Sequence, residues 1–518
     1  MTAKKRFVFI SFPIVVFILI FILQIIAILR MNDNHLVYTL DDAYIHLSLA
    51  ENIARGEYGI NLGEPSAPSS SIVWPFLLYP FSKSAMSYLV PLVLNFLAAV
   101  GSIIILVRIL FLIFDCAQSI KMTYFTLFTA ILLIPSTNLT GVVFTGMENS
   151  LQIFLSLLLL LGIISLLRDS KTPWWFYPVL IIGPLVRYEN LALSVPTLIF
   201  LRGSRIKATI ISSVLMLIPL IGFSLFLDSR NLGIFPSSVL VKSSPVLRMG
   251  SPIAILGNFL RNIVLYRQGF VLLLILVWFV YADFKLNKQK KDYILIRIVA
   301  VAAFLHLLFG QFDPNNRYEI YIWSTMLLTL LYQNRASIMG FVERKPLYQT
   351  ILIACLFMGL SGFPYIKSIA DIPLASNNIY CQHYQMRRFI TEFYPVNIAV
   401  NDIGFVSYRN DNYVLDLWGL TSRKALFHRL NRDNPEWINN LSKEHNVKLA
   451  MIYDQWFPVI PKDWKPVAEL AITRRRISPA FSDVTFYAIG NESSYQVKFL
   501  LMQFKKSLPS GIRFTIIE

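Results

Sequence analysis

Long apolar runs separated by short polar breaks fill the first two thirds of the chain. Eleven of them lie near 7–29, 88–114, 122–136, 147–167, 174–186, 190–201, 208–227, 268–284, 293–310, 318–333 and 349–366. A helix of about 20 apolar residues crosses a hydrocarbon core of ~30 Å, so these runs read as membrane spans. The fifth and sixth are short for full crossings and read as a half-depth pair meeting at PLVRYEN. Beyond residue 366 the pattern changes. NIAVNDIG, NYVLDLWGL, VKLAMIYD and VTFYAIG are short alternating runs, and the stretch around 422–445 is charged and helical. These predict a small α/β domain. The expected fold is therefore an all-α polytopic membrane bundle of about 11 helices over 1–366, followed by an α/β domain over 367–518.

Composition sharpens this. Of 518 residues 55% are hydrophobic and 15% charged, a surface that a soluble protein of this size could not carry. The net charge of +17 would raise nucleic acid as a partner in a soluble chain. Here it is explained by Lys and Arg gathering in loops on one side, so no nucleic acid partner is expected. Lys121, Arg168, Arg202, Arg205, Lys207, Lys285, Arg335, Arg344 and Lys345 all fall inside if the N-terminus is cytoplasmic. The run 7–29 behind Lys4, Lys5 and Arg6 is too long for a cleaved leader and reads as a signal-anchor. This places the loop 30–87 and the C-terminal domain outside an inner (plasma) membrane. Three cysteines form no CxxC motif, and no GxxxxGKS or post-strand GxGxxG appears, so nucleotide binding inside is not supported.

The candidate chemistry begins at Asp41 and Asp42, in DDAYIHLSLAENIARGEYG. The stretch reads as an amphipathic helix on the outer surface, with Glu51 and Arg55 as a supporting i,i+4 pair and Gly56 ending it. One Asp can cap that helix; a cap does not explain two. A carboxylate at the edge of a water-poor site can serve as a general base, and two together suit a divalent cation, Mg or Ca. Tyr44 and His46 on the same stretch are candidates to line the substrate cavity. Ionisable groups at the outer ends of spans are costly and therefore informative. Glu148 (TGMENS), Arg187 and Glu189 (LVRYEN), Lys242 and Arg248 (FPSSVLVKSSPVLR) and Arg317 (NNRYEI) form that set. Arg187 can simply be neutralised by Glu148 or Glu189. Asp402, in NDIG, reads as a turn residue. A base with several cations matches sugar transfer from a lipid phosphate, where the phosphate leaves without needing a proton.

The order of these segments carries a resemblance. YTLDDAYIHLSLAENIARGEYGINLGEPSAPSSSIVW, TGMENSLQIF, LVRYENLAL, FPSSVLVKSS, NNRYEIYIW and VNDIGFVSYRNDNYVLDLWGLTS resemble, in order from about residue 38 to 425, GT-C fold glycosyltransferases that use polyprenyl-phosphate sugars. The closest likeness is to the mycobacterial terminal arabinofuranosyltransferase and mannosyltransferase-like subgroup. The resemblance implies that Asp41 is the base with Asp42 its partner, and that Lys242 and Arg317 face the donor phosphate; Arg187 is a further candidate to bind it. It places Arg187 and Glu148 near the cavity, where Glu189 and Arg248 are candidates by their position at the outer ends of spans. Tyr188 and Asn190 stand where the family has Pro and Gly, and Ser237 where it has Asn, so arabinose is not carried over as the donor. The expected activity is inverting transfer of one sugar from a polyprenyl-phosphate donor to an extracytoplasmic cell-envelope glycan or glycolipid, with membrane lipids as the surroundings. The rivals are a lipid-linked glycan transporter or flippase, for which repeated halves are expected and none is visible, and a non-catalytic envelope-assembly protein.

Overall fold

The structure is a computed structural model that describes residues 3–114, 119–170, 172–203, 205–242, 251–285, 292–313, 315–490 and 493–517. Arg248 lies outside the described residues, as does the side chain of Lys242. Among the described residues six helices are long and apolar enough to cross a membrane: Phe9–Met31, Ser87–Phe114, Ile120–Thr145, Asn149–Asp169, Ile206–Ser229 and Arg267–Lys285. A seventh candidate, Leu347–Ser361, is bent by 70° against Phe363–Phe393. Four of the expected spans fall on helices of 10–17 residues, Phe176–Val186, Tyr188–Leu201, Tyr293–Phe309 and Ile320–Gln333. The protein is thus multi-pass, with six full-length spans, or up to seven with the bent pair, among the described residues. Ile210, Ile211, Val214, Ile218, Ile221 and Leu225 on one of the long helices are exposed. An apolar surface of that kind is stable only against lipid.

Phe176–Val186 and Leu191–Leu201 form the expected short pair, joined at an extended Arg187. Asn190 Nδ2 donates to the Gly183 carbonyl at 3.2 Å and Ser194 Oγ to that of Leu180 at 3.0 Å. These polar bonds hold the two helices side by side.

The C-terminal domain carries one mixed sheet of six strands: β1 Ile398–Val400, β2 Val414–Asp416, β3 Leu449–Ile452, β4 Trp464–Ile472, β5 Asp483–Ile489 and β6 Ile512–Ile516. Their order is β2-β1-β3-β5-β4-β6. β1 is parallel to β2 on one side and to β3 on the other, and the remaining pairs are antiparallel. The charged stretch is two helices, Arg423–Asn431 and Glu436–Glu444. β4 and β6 were not expected from the pattern. β4 contains Pro466 beside an irregularity in register between Pro466 and Ala468, which hides its alternation.

The helix Asp42–Ile53 is not the surface amphipath that its sequence predicts. Ala43 through Ala50 are all buried. Ala43, Tyr44, Leu47 and Ala50 pack into the bundle core, while Ile45 and Leu49 pack with the sheet. The helix is a wedge between the two halves of the protein. Glu51 and Arg55 do not pair with each other in the contacts formed; Glu51 reaches Arg409 (3.7 Å) and Arg55 reaches Asp411 (3.4 Å), both in the C-terminal domain. Gly56 ends the stretch in the left-handed region, φ 87°.

Candidate active site

The N-terminus of the wedge is where the motifs meet. Asp41 precedes the helix but makes no side-chain bond to it. Its carboxylate instead crosses to the C-terminal domain. Oδ2 accepts from the Gly404 amide at 2.7 Å and Oδ1 from the Phe405 amide at 2.7 Å. The capping role is real but serves another helix, the four-residue turn Gly404–Ser407. That turn follows the C-terminal end of β1, between the two parallel neighbours β2 and β3. Open α/β sheets receive ligands in this crevice, and here Asp41 fills it. Position 404 must be glycine, because a Cβ there would lie 2.1 Å from the Asp41 carbonyl and 2.6 Å from Oδ2.

Gly146 does the same from the bundle side. It has φ +69°, and a Cβ would lie 2.6 Å from Ala43 Cβ and 2.8 Å from the Tyr38 ring. Tyr44 stacks on Phe405, with ring centroids 3.6 Å apart. The segments DDAYI, TGMEN and NDIG are thus packed against one another at this end of the wedge.

Asp42 faces the opposite way. Its Oδ2 is 3.0 Å from Arg317 Nη2, and the Asp42 side chain remains 32% exposed. Arg317 Nε is held by Asp313 Oδ2 at 2.8 Å, and Nη2 also meets the Tyr318 hydroxyl at 2.9 Å. Its Nη1 is buried with no hydrogen-bond partner.

Beyond Tyr318 lies a second ionic group. The Arg187 and Arg317 guanidiniums are 5.2 Å and 4.7 Å from the Tyr318 ring centroid. Arg187 Nη1 meets Glu148 Oε1 at 2.7 Å, and Nη2 meets Glu189 Oε1 at 2.7 Å. His46 Nε2 is 3.7 Å from the other Glu148 oxygen. Arg187 and Glu148 are essentially sealed from solvent. A buried guanidinium requires counter-charges, so the neutralising reading of Arg187 holds, with both carboxylates rather than one.

Arg187, Glu189 and Tyr318 form one wall of a cavity of about 380 Å³. Ser238 and Val239, from the short helix Ser237–Lys242, form part of another. Sequence reading missed His306 and Tyr321 in this lining. Both sit on apolar helices, where a His or Tyr alone gives no signal.

The site as described is acidic. Asp42, Asp313, Glu148 and Glu189 surround two guanidiniums, each paired twice, and Asp41 adds a further carboxylate bound to amides. Asp41 is spent on two amides and Asp42 on Arg317, and among the described residues no group of three or more His, Cys, Asp or Glu could hold a metal ion.

Burial pushes the Asp41 carboxyl up to about 6. His383 and the two amides oppose that rise, and Asp402 adds to it. Asp416, in DLWGL, is a different case. It accepts from the amides of Trp418, Gly419 and Thr421 at 2.7–3.1 Å and shapes the turn.

Comparison with known proteins gives a family model, a domain of unknown function (DUF8728), over residues 377–487. That segment contains the NDIG turn and strands β1 to β4 with the start of β5. No curated protein matches the sequence. Among solved structures, the chain is similar to the oligosaccharyltransferase of Archaeoglobus fulgidus in its apo form, with 12% identity and a TM-score of 0.49, covering 96% of this chain and 78% of that one. It is similar to the same organism's AglB in complex with an inhibitory peptide and a dolichol-phosphate, with 11% identity, a TM-score of 0.48, and 97% and 78% covered. It is also similar to ArnT from Cupriavidus metallidurans bound to undecaprenyl phosphate, with 10% identity, a TM-score of 0.43, and 94% and 98% covered.

Proposed function

We propose that the protein is an integral membrane glycosyltransferase that moves one sugar, with inversion, from a polyprenyl-phosphate donor to an extracytoplasmic glycan or glycolipid. The observation that carries this is the junction itself. A carboxylate held up near pH 6 by burial stands beside an Arg-anchored second acid, and Tyr318 links that Arg to a cavity between apolar helices. A base of this kind is mostly ionised at neutral pH yet takes a proton readily.

Asp41 deprotonates the acceptor hydroxyl. Asp42 orients Arg317, whose spare Nη1 is one donor toward the leaving phosphate. Arg187, already paired with Glu148 and Glu189, fixes the cavity wall rather than supplying net charge. Lys242, at the end of the helix whose Ser238 and Val239 line the cavity, supplies the cation. The apolar helices around the cavity suit an isoprenoid chain, and the outer domain presents the acceptor. The motif order from residue 38 to 425 supports the same reading. The outside placement of the site rests on the distribution of Lys and Arg among the loops.

The test is transfer from a labelled polyprenyl-phosphate sugar by purified protein, with Lys242→Ala as the probe. Donor binding should weaken at least about tenfold, the loss of ~1.4 kcal/mol, while acceptor binding changes little. Unchanged donor affinity would contradict the clamp, and no transfer from any such donor would contradict the activity.

A further inference from the structure

The helices that begin at the candidate site end around a second cavity. Asn149–Asp169 starts beside Glu148 and runs for 21 residues. At 1.5 Å per residue its last turns lie about 25 Å from Glu148 along the axis. Leu191–Leu201 starts just after Glu189 and leads away from it. Between the far ends of these helices, with Phe176 and the first turns of Tyr293–Phe309, is a cavity of about 470 Å³. Leu166, Leu167, Phe200, Ile294 and Ile298 make an apolar wall. Leu166, Leu167, Phe200 and Ile294 are only half-buried, and Ile199 beside Phe200 is exposed. The cavity thus borders surface that faces lipid.

Arg205 stands in the lining of this apolar space. Its Nη1 donates to the Thr172 hydroxyl at 3.2 Å and its Nη2 to the Ser170 carbonyl at 2.9 Å. Ser170 follows the helix Asn149–Asp169 in the left-handed region, φ 56°, and lines the cavity too. The two bonds fix the guanidinium at the rim. They take two of its five donors, and both go to neutral oxygens. Among the described residues no carboxylate forms an ion pair with Arg205. An anchored cation on an apolar wall has the chemistry to hold an anion that carries an apolar tail. Arg168, Arg202 and Lys207 stand nearby in the chain. The distribution of Lys and Arg puts this end on the cytoplasmic side. Basic pockets between membrane helices on that side suit anionic lipid headgroups.

We propose that this cavity binds one anionic phospholipid, with an acyl chain in the apolar space and the phosphate on Arg205. A free phosphate has no use for the apolar wall, and a zwitterionic lipid brings its own cation toward Arg205. The site is a helix length from Glu148 and Arg187, so it stands or falls independently of the assignment of Asp41.

The test is native mass spectrometry of the whole protein, equilibrated in detergent with dioleoyl-phosphatidylglycerol, dioleoyl-phosphatidylcholine or glycerol phosphate. The unchanged protein should retain one phosphatidylglycerol. It should prefer it to phosphatidylcholine by roughly fivefold or more, the size of one Arg contribution beside an anionic headgroup. Glycerol phosphate should not be retained. Arg205→Gln keeps donors for Thr172 and Ser170 but loses the charge, and should lose the preference. Ile294→Trp fills the apolar space and keeps the charge, and should retain less of both lipids. Arg202→Gln removes an exposed neighbouring cation and should behave like the unchanged protein. If Arg205→Gln does not fold, Ile294→Trp and the headgroup comparison decide. Equal retention of the two lipids, retention of glycerol phosphate alone, or full retention in Ile294→Trp overturns the site. So does an Arg202→Gln protein that loses the preference as fully as Arg205→Gln, which is the mark of diffuse attraction to basic loops.

Discussion

Gly404→Ala is the most telling single change in the fold. The added methyl would sit 2.1 Å from the Asp41 carbonyl oxygen and 2.6 Å from Oδ2. Ordinary contact begins near 3.4 Å, so one side must retreat by more than an ångström. Neither side is a flexible tip, since one is backbone and the other a carboxylate fixed by two amides. The two amide bonds to Asp41 would lengthen together. Each hydrogen bond to a charged group is worth about 1.5–3 kcal/mol, and losing half of that total costs about 2 kcal/mol or more. Misplacing a reacting group by ~1 Å costs roughly 100-fold in rate. Thermal unfolding in detergent and transfer from a labelled donor would measure the two effects. Gly257→Ala is the control, because nothing lies within 4 Å of a Cβ there and Ala favours its helix. It should leave transfer unchanged. A Gly404→Ala protein with the melting temperature and turnover of the control would refute the argument that Asp41 is positioned by this turn.

Two further outcomes follow from the same geometry. With Asp41 as base, transfer should rise with pH through about 6 and level off above 7, because the carboxyl must be ionised and burial has raised it. At pH 5 about a tenth of the activity should remain, and a limb near 4 would contradict the burial argument. Glu148→Ala should lower stability by about 3 kcal/mol, since it strips one of two counter-charges from a sealed guanidinium. Glu148→Gln should lose less, and chemical denaturation monitored by tryptophan fluorescence would show the difference.

Much of the architecture was legible from periodicity alone. The six long apolar helices, the short pair at PLVRYEN and four of the six strands fall where the pattern puts them. The misreadings have physical causes. The segment Asp42–Ile53 has polar and apolar sides, which ordinarily means one wet face. Here the polar side meets another domain, as with Ser48 against Ser407 at 3.0 Å, and a single sequence cannot reveal a partner that arrives 359 residues later. Asp41 was rightly suspected of capping, but the helix it caps is Gly404–Ser407. Asp402 read as a turn former because NDIG is turn-like. Its neighbour His383 sits in a helix with no local cue, and only the fold brings them to 3.2 Å. Neutralisation of Arg187 by Glu148 or Glu189 was open from the sequence, but the pairing of Arg317 with Asp42 and Asp313 was not legible, because charge patterning along the chain does not show which carboxylates fold against an arginine.

The most direct measurement is turnover of Asp41→Asn and Asp42→Asn, made separately, with a labelled polyprenyl-phosphate sugar as donor. The account predicts that Asp41→Asn loses transfer by at least about 100-fold, the lower end of what a general base contributes. It predicts that Asp42→Asn retains part of it, with weaker donor binding through the loosened Arg317. Full turnover in Asp41→Asn would contradict the assignment of the base and with it the central reading of the site.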